Sequence, residues 1–162
     1  MKNKVYIGID NGVTGSIGII SDSGSELIPT PVKMEQSYTK AKQNISRIDY
    51  LKLFDLLCNY NSVPTMILIE RPMVNPTRFK ASASALRALE ATLIAVESLG
   101  LAYSYIDSKE WQKVLLPSGS SDLKKDSMDI ACRLFPSHST SIKKHKDGDG
   151  LLIAEYCRRK FK

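Results

Sequence analysis

The chain has 162 residues, 43% of them apolar, which fits one compact domain spanning 1–162 with an ordinary core. It holds no run of about eighteen apolar residues, which excludes a membrane-spanning helix. The net charge of +6 and isoelectric point near 9.2 suit a polyanionic partner, a weak signal because many basic proteins never touch nucleic acid.

Residues 5–10 (VYIGID) are rich in β-branched side chains and read as a buried strand. Residues 11–15 (NGVTG) form a turn, and 16–20 (SIGII) a second strand. A turn at 22–24 leads to a weaker third strand from Glu26 to Ile28, so the three form an antiparallel meander. Residues 30–45 are polar and are expected to be a loop. Ile48, Leu51, Phe54, Leu57 and Cys58 recur at helical spacing behind Asp49 as N-cap. Residues 65–69 (TMILI) form a central strand ending at Glu70, and strand, helix and strand in that order suggest a parallel crossover. A Pro-broken loop at 71–77 precedes a long Ala-rich helix over 79–99. That helix is expected to bury Leu86, Leu89, Leu93, Ile94 and Val96, and to stop at Gly100. A fifth strand covers 103–106 and short helices 108–115 and 122–134. A Ser/Thr/Lys loop spans 137–146, and a last helix runs from about 147 to 160.

The N-terminus, Met1 to Lys4, enters the first strand without a leader-like pattern, so a cytoplasmic protein of a bacterial cell or a phage-infected host is expected. Cys58, Cys132 and Cys157 are odd in number and lack metal-binding spacing. They read as small side chains in a reducing compartment. Basic residues gather in the last third, among them Lys143, Lys144 and Lys146.

Asp10 stands at the end of the first strand and Glu70 at the end of the crossover strand, while Asp147 and Asp149 open the last helix. Carboxylates at the same end of neighbouring strands converge, and two or three of them offer hard oxygen ligands on rigid supports. Such a cage holds Mg²⁺, or Mn²⁺ in its place, for phosphodiester hydrolysis. Each aspartate alone has a plainer role as turn former or helix cap. Glu70, directly after MILI, is harder to explain by packing.

The segment 7–15 (IGIDNGVTG) resembles the opening motif of RuvC-family Holliday-junction resolvases. Leu68-Ile69-Glu70 resembles that family's second acidic strand, 124–136 the segment before its final acidic helix, and 147–155 (DGDGLLIAE) that helix. Ser108 to Trp111 is similar to a family Trp position, although a core anchor explains Trp111 as well. The resemblance covers nearly the whole chain. It implies an α/β ribonuclease-H-like fold with a five-stranded mixed sheet, three antiparallel then parallel strands, flanked by helices. It also implies a Mg²⁺-dependent endonuclease acting as a homodimer on branched DNA, the four-way junction above all. Asp10, Glu70 and Asp149 carry over as metal ligands. The family places its last two acids one helical turn apart, whereas Asp147 and Asp149 are separated by one residue. Four residues before Asp149 stands His145, so His145 and Asp147 compete for the fourth place, with the spacing leaning to His145. Arg78, Phe79, Lys80 and Arg87 occupy the region that enters the junction in relatives, with Phe79 as the candidate wedge; Lys143, Lys144 and Lys146 are further DNA-contact candidates. Ala81, Ala83, Ala85 and Ala88 would allow close approach of a partner helix.

Other readings share parts of this pattern. The D-x-G-x-T-G element at 10–15 also resembles the phosphate-binding hairpin of sugar kinases and actin-like ATPases, but those need two such domains. A non-catalytic junction-binding protein would have no need of the acids. Another nuclease on the same fold, transposase-like, flap-directed or rRNA-processing, shares the metal chemistry and differs in surface shape.

Overall fold

The computed structural model describes residues 4–162. Met1–Asn3, on which part of the expected leader-free start falls, lie outside the described residues. β1 (Val5–Ile9), β2 (Ser16–Ser21) and β3 (Gly24–Pro29) form the expected meander, with β1–β2 and β2–β3 antiparallel. The chain then departs from expectation. In place of a loop, β4 (Val32–Gln36) and β5 (Asn44–Ile48) pair as a separate two-stranded antiparallel hairpin. Its alternation is faint because Ile48 is the single buried residue of the two strands, so no burial periodicity is written into it.

α1 (Tyr50–Cys58) begins behind Asp49, whose side chain accepts the Lys52 N–H. It buries Leu53 and Leu57, while Leu51 is 71% exposed, so the expected apolar face is rotated. β6 (Thr65–Glu70) runs parallel to β1, and β7 (Ala102–Ile106) parallel to β6. The sheet order is β3-β2-β1-β6-β7, mixed as expected. α2 (Phe79–Ser98) ends before Gly100, whose φ of +65° is the left-handed stop. Of the expected face, Val96 is buried and Leu89 and Leu93 are partly buried against the core, whereas Leu86 and Ile94 are nearly half exposed and Ala88, Thr92 and Ala95 are buried in their stead. Small side chains at Ala88, Thr92 and Ala95 let the helix lie close to the sheet, with Leu89 and Leu93 packing at the flanks.

α1 and α2 cover one sheet face, with Ile7, Ile9, Ile17, Ile67 and Ile69 in that core. α3 (Ser108–Leu115), α4 (Leu123–Leu134), α5 (Ser139–His145) and α6 (Asp149–Phe161) belong to the other side, where Trp111, Ile142, Leu151, Leu152 and Ile153 are fully buried. α5 and a 3₁₀ turn at Pro136–His138 replace the loop expected over 137–146. Ile142 anchors α5 as its single buried residue, too little to leave a periodic pattern. No described helix is long and apolar enough to cross a membrane.

One contact sets the position of the last helix. Gly8 and Gly18 face each other across β1 and β2. A Cβ at Gly8 would strike the Ala154 amide nitrogen, and one at Gly18 the Gly150 carbonyl. A Cβ at Gly150 would in turn sit 2.7 Å from the Gly18 nitrogen and the Ser16 carbonyl. These three glycines let α6 rest directly on the sheet backbone. The Ser16 hydroxyl, buried, accepts the Gly150 N–H at 3.0 Å and pins the helix start there.

Candidate metal centre

Parallel pairing of β1 and β6 sets Ile9 beside Ile69, so Asp10 and Glu70 emerge side by side at the same sheet end. The glycine-mediated seat of α6 brings Asp149, its first residue, to that end. Asp147 arrives by a different route. α5 stops at His145, Lys146 takes a left-handed conformation with φ +52°, and the chain turns inward before α6 begins. The expected helix start at 147 therefore moves to Asp149, and 145–149 is not one continuous helical turn.

Carboxylate oxygens of Asp10, Asp147 and Asp149 all lie within 4.8 Å of one another. Asp147 is buried, at 4% exposure, and its Oδ2 has no hydrogen-bond partner. Its other oxygen accepts the Asp149 N–H at 3.2 Å and lies 3.8 Å from the Lys124 ammonium. The Ser127 hydroxyl donates to Asp149. Glu70 stands beside the trio, outside that span.

The electrostatics are those of a site short of positive charge. Burial pushes the Asp10 carboxyl well above the usual range, and Asp147, Asp149 and Glu70 push it further, with Lys124 opposing. Burial raises Asp149 too; Ser127 lowers it and Asp147 raises it. Glu70 is pushed up to about 7, first by burial and then by Asp149, against the lowering effect of the Ser108 hydroxyl and Trp111 indole. The fully buried indole N–H is near enough to act on Glu70, yet it falls short of hydrogen-bonding geometry and has no partner. Trp111 is thus both core anchor and neighbour of the acids.

Three clustered carboxylates, one with an orphaned buried oxygen, fit a hard divalent cation, and the all-oxygen donor set favours Mg²⁺ or Mn²⁺ over zinc. Asp10, Asp147 and Asp149 would hold it, with Glu70 at its edge. His145 is exposed at the end of α5; it lines the same cleft as Asp147, Val13 and Thr14 but is not in the carboxylate group.

The candidate DNA contacts divide in two. Arg78, Phe79 and Lys80 are exposed at the start of α2, Phe79 by 70%, and Arg87 is half-buried further along. Lys143, Lys144 and Lys146 are exposed around the end of α5. Lys124, beside Asp147, and the Ser16, Ser127 and Gly8–Gly18 supports were missed as site-building residues. Glycine inside two buried strands was the available signal for the last of these. The three cysteines are free; Cys58 is exposed, and burial pushes the Cys157 thiol up to about 12.

No family model matches the chain, and no curated protein matches it in sequence. T. thermophilus RuvC in complex with a Holliday junction substrate is similar in structure, with a TM-score of 0.59 over 98% of this chain and 96% of that one, at 14% identity. A second structure of Thermus thermophilus RuvC has a TM-score of 0.49, covering 93% of this chain and 90% of that one, at 17% identity. At such identity the likeness speaks to fold alone, and it agrees with the strand order: the chain has the ribonuclease-H-like fold of RuvC.

Proposed function

We propose that the protein is a Mg²⁺-dependent, structure-specific endonuclease that cuts branched DNA, with the four-way junction as its substrate. One observation carries the reading: the Asp10–Asp147–Asp149 cluster, with Glu70 beside it, stands at the sheet end reached by β1, β6 and α6. Buried carboxylates crowded together are costly to keep unless something uses their charge. When bound, Mg²⁺ supplies an activated water and stabilises the charge on the leaving oxygen.

The chain's own residues do the rest. Ser127 and the Asp149 N–H fix the orientation of Asp149 and Asp147, and Ser16 fixes the start of α6. Lys124 offsets part of the negative charge and offers a cation to a nearby phosphate. Glu70, at the edge of the trio, would add its charge to the field that holds the ion. Between His145 and Asp147, the grouping of carboxylates favours Asp147 as the fourth acid, while His145, on the rim of the same cleft, is suited to phosphate contact. Arg78, Lys80, Arg87, Lys143, Lys144 and Lys146 supply phosphate contacts, and exposed Phe79 a base contact.

The junction is favoured over other substrates by the likeness to RuvC, whose structure holds a Holliday junction substrate. A homodimer follows the same reasoning, since two identical sites match a junction's near-twofold symmetry. The outer face of α2, with Leu86 and Ile94, is available for it. The test is nicking of synthetic four-way junctions, flaps, forks and linear duplex side by side with Mg²⁺. Preferential paired nicks in the junction are expected. Preferential cutting of flaps would retain the nuclease and reject the resolvase, and cutting of none would reject both.

A further inference from the structure

The β4–β5 hairpin supplies none of the clustered carboxylates and meets their cleft only at its base, through Val32. Its base is fixed: the Asp49 N–H donates to the Pro31 carbonyl at 2.9 Å, Ile48 is buried in the core, and β5 packs against α2. Its tip reaches away from the core yet has a defined shape. The Ser37 N–H donates to the Gln43 carbonyl at 2.7 Å, the Gln43 N–H to the Ala41 carbonyl at 2.8 Å, and the Thr39 N–H to the Ser37 hydroxyl at 3.3 Å. This turn presents Tyr38 at 79% exposure.

Between the tip and the first half of α2 lies a groove of about 520 Å³. Tyr38 and Gln43 line one wall, Phe79, Lys80 and Arg87 the other, and no acidic side chain lines it. Val13 lines it too, and also lines the cleft that holds Asp147. Groove and carboxylate cleft therefore share a wall. On the hairpin body Glu35 pairs with both Lys33 and Arg47. Among the described residues, Lys40 and Lys42 at the tip and Lys80 and Arg87 on α2 make no ion pair. Two exposed rings among uncompensated cations suit a chain that carries both phosphates and flat apolar faces. A base pair inside a duplex hides those faces in its stack; an unpaired base presents them.

We propose that the β4–β5 hairpin and α2 grip an unpaired nucleic-acid strand beside the carboxylate cluster, with a base stacked on Tyr38 and phosphates on Lys40, Lys42, Lys80 and Arg87. The direction of that strand, toward a cutting site, rests on the nuclease reading; the gripping itself does not.

The experiment uses the full chain without metal, so that nothing is cut, and measures affinity for a single-stranded oligonucleotide carrying one 2-aminopurine and for a blunt duplex. Because Tyr38 is exposed, Tyr38→Ala should unfold at the wild-type temperature. It should bind the single strand roughly 5- to 150-fold more weakly, the span expected for one lost base stack, and bind duplex as before. Tyr38→Phe, which keeps the ring, should restore single-strand binding. Wild-type binding of the single strand by Tyr38→Ala, an equal loss on duplex, a Phe variant as weak as the Ala variant, or no single-strand binding by the wild type would each overturn the proposal. If the Tyr38 pattern holds while no branched DNA is cut with Mg²⁺, the nuclease reading fails and the grip stands. If junctions are cut and Tyr38→Ala binds normally, the reverse is true.

Discussion

Removing an acid from beside the carboxylate cluster should make the metal-free protein more stable. Glu70 has a pKa of about 7 in the folded chain against an ordinary 4.5. The folded state therefore holds this proton more tightly than the unfolded state. Stability that is fully present below about 4.5 is lost as the pH rises through about 7. The full loss is about 3 kcal/mol at pH 8, the rise from 4.5 to about 7 converted at about 1.4 kcal/mol per tenfold change in proton affinity. Glu70→Gln keeps the shape, removes the ionisation and leaves an amide oxygen facing Ser108 and Trp111. At pH 8 with chelator it should recover up to that 3 kcal/mol, or roughly 6–12 °C in Tm for a chain of this size. At pH 5 the wild-type group is largely protonated and the gain should fall below about 1 kcal/mol. The assay is thermal unfolding by circular dichroism at both pH values. A lower Tm for Glu70→Gln at pH 8, or an equal gain at pH 5, would refute the argument and make Glu70 a satisfied structural acid.

The same charge shortage predicts that Mg²⁺ raises the wild-type Tm at pH 8 and does so far less for Asp10→Asn, readable in the same melts with and without metal. Asp147→Asn should abolish that Mg²⁺-dependent rise, and His145→Ala should keep it; the opposite pattern would return the fourth place to His145. Gly18→Ala should destabilise by about 1–3 kcal/mol by pushing α6 off the sheet, and should weaken Mg²⁺ binding by parting Asp149 from Asp10, both measurable by denaturant titration and calorimetry. Changing Lys143 and Lys144 to Ala should weaken DNA binding and flatten its dependence on salt, while single-turnover cleavage at saturating protein stays near wild type.

What was legible in the sequence was local. The buried runs at 5–9, 16–20 and 65–69 gave the central strands, and Asp10 and Glu70 stood at their ends without ambiguity. Asp49 and Gly100 marked helix ends through their own chemistry. The hairpin was illegible because neither strand has a well-buried face, and because its 37–43 tip lacks an Asn-Gly or Asp-Gly turn. α5 was hidden by Ser, Thr and Lys around a single buried Ile142. The contest between His145 and Asp147 could not be decided from spacing, because spacing assumed a continuous helix. The left-handed turn at Lys146, a residue without a glycine's freedom, breaks that helix and sends Asp147 inward. The seat of α6 depends on Gly8, Gly18 and Gly150, distant in the chain, where the decisive feature is a missing side chain.

The central claim is that the Asp10–Asp147–Asp149 cluster performs metal-dependent cleavage on DNA that other residues hold. The direct measurement is single-turnover cleavage of a four-way junction with Mg²⁺, beside a gel-shift titration of the same junction, for wild type and Asp10→Asn. Asp10→Asn should cleave roughly a thousandfold more slowly or worse, as several kcal/mol of transition-state stabilisation are lost. Junction affinity should hold or rise, since less negative charge then faces the phosphates. Cleavage that persists in chelator, or cleavage and affinity falling together in proportion, would contradict it.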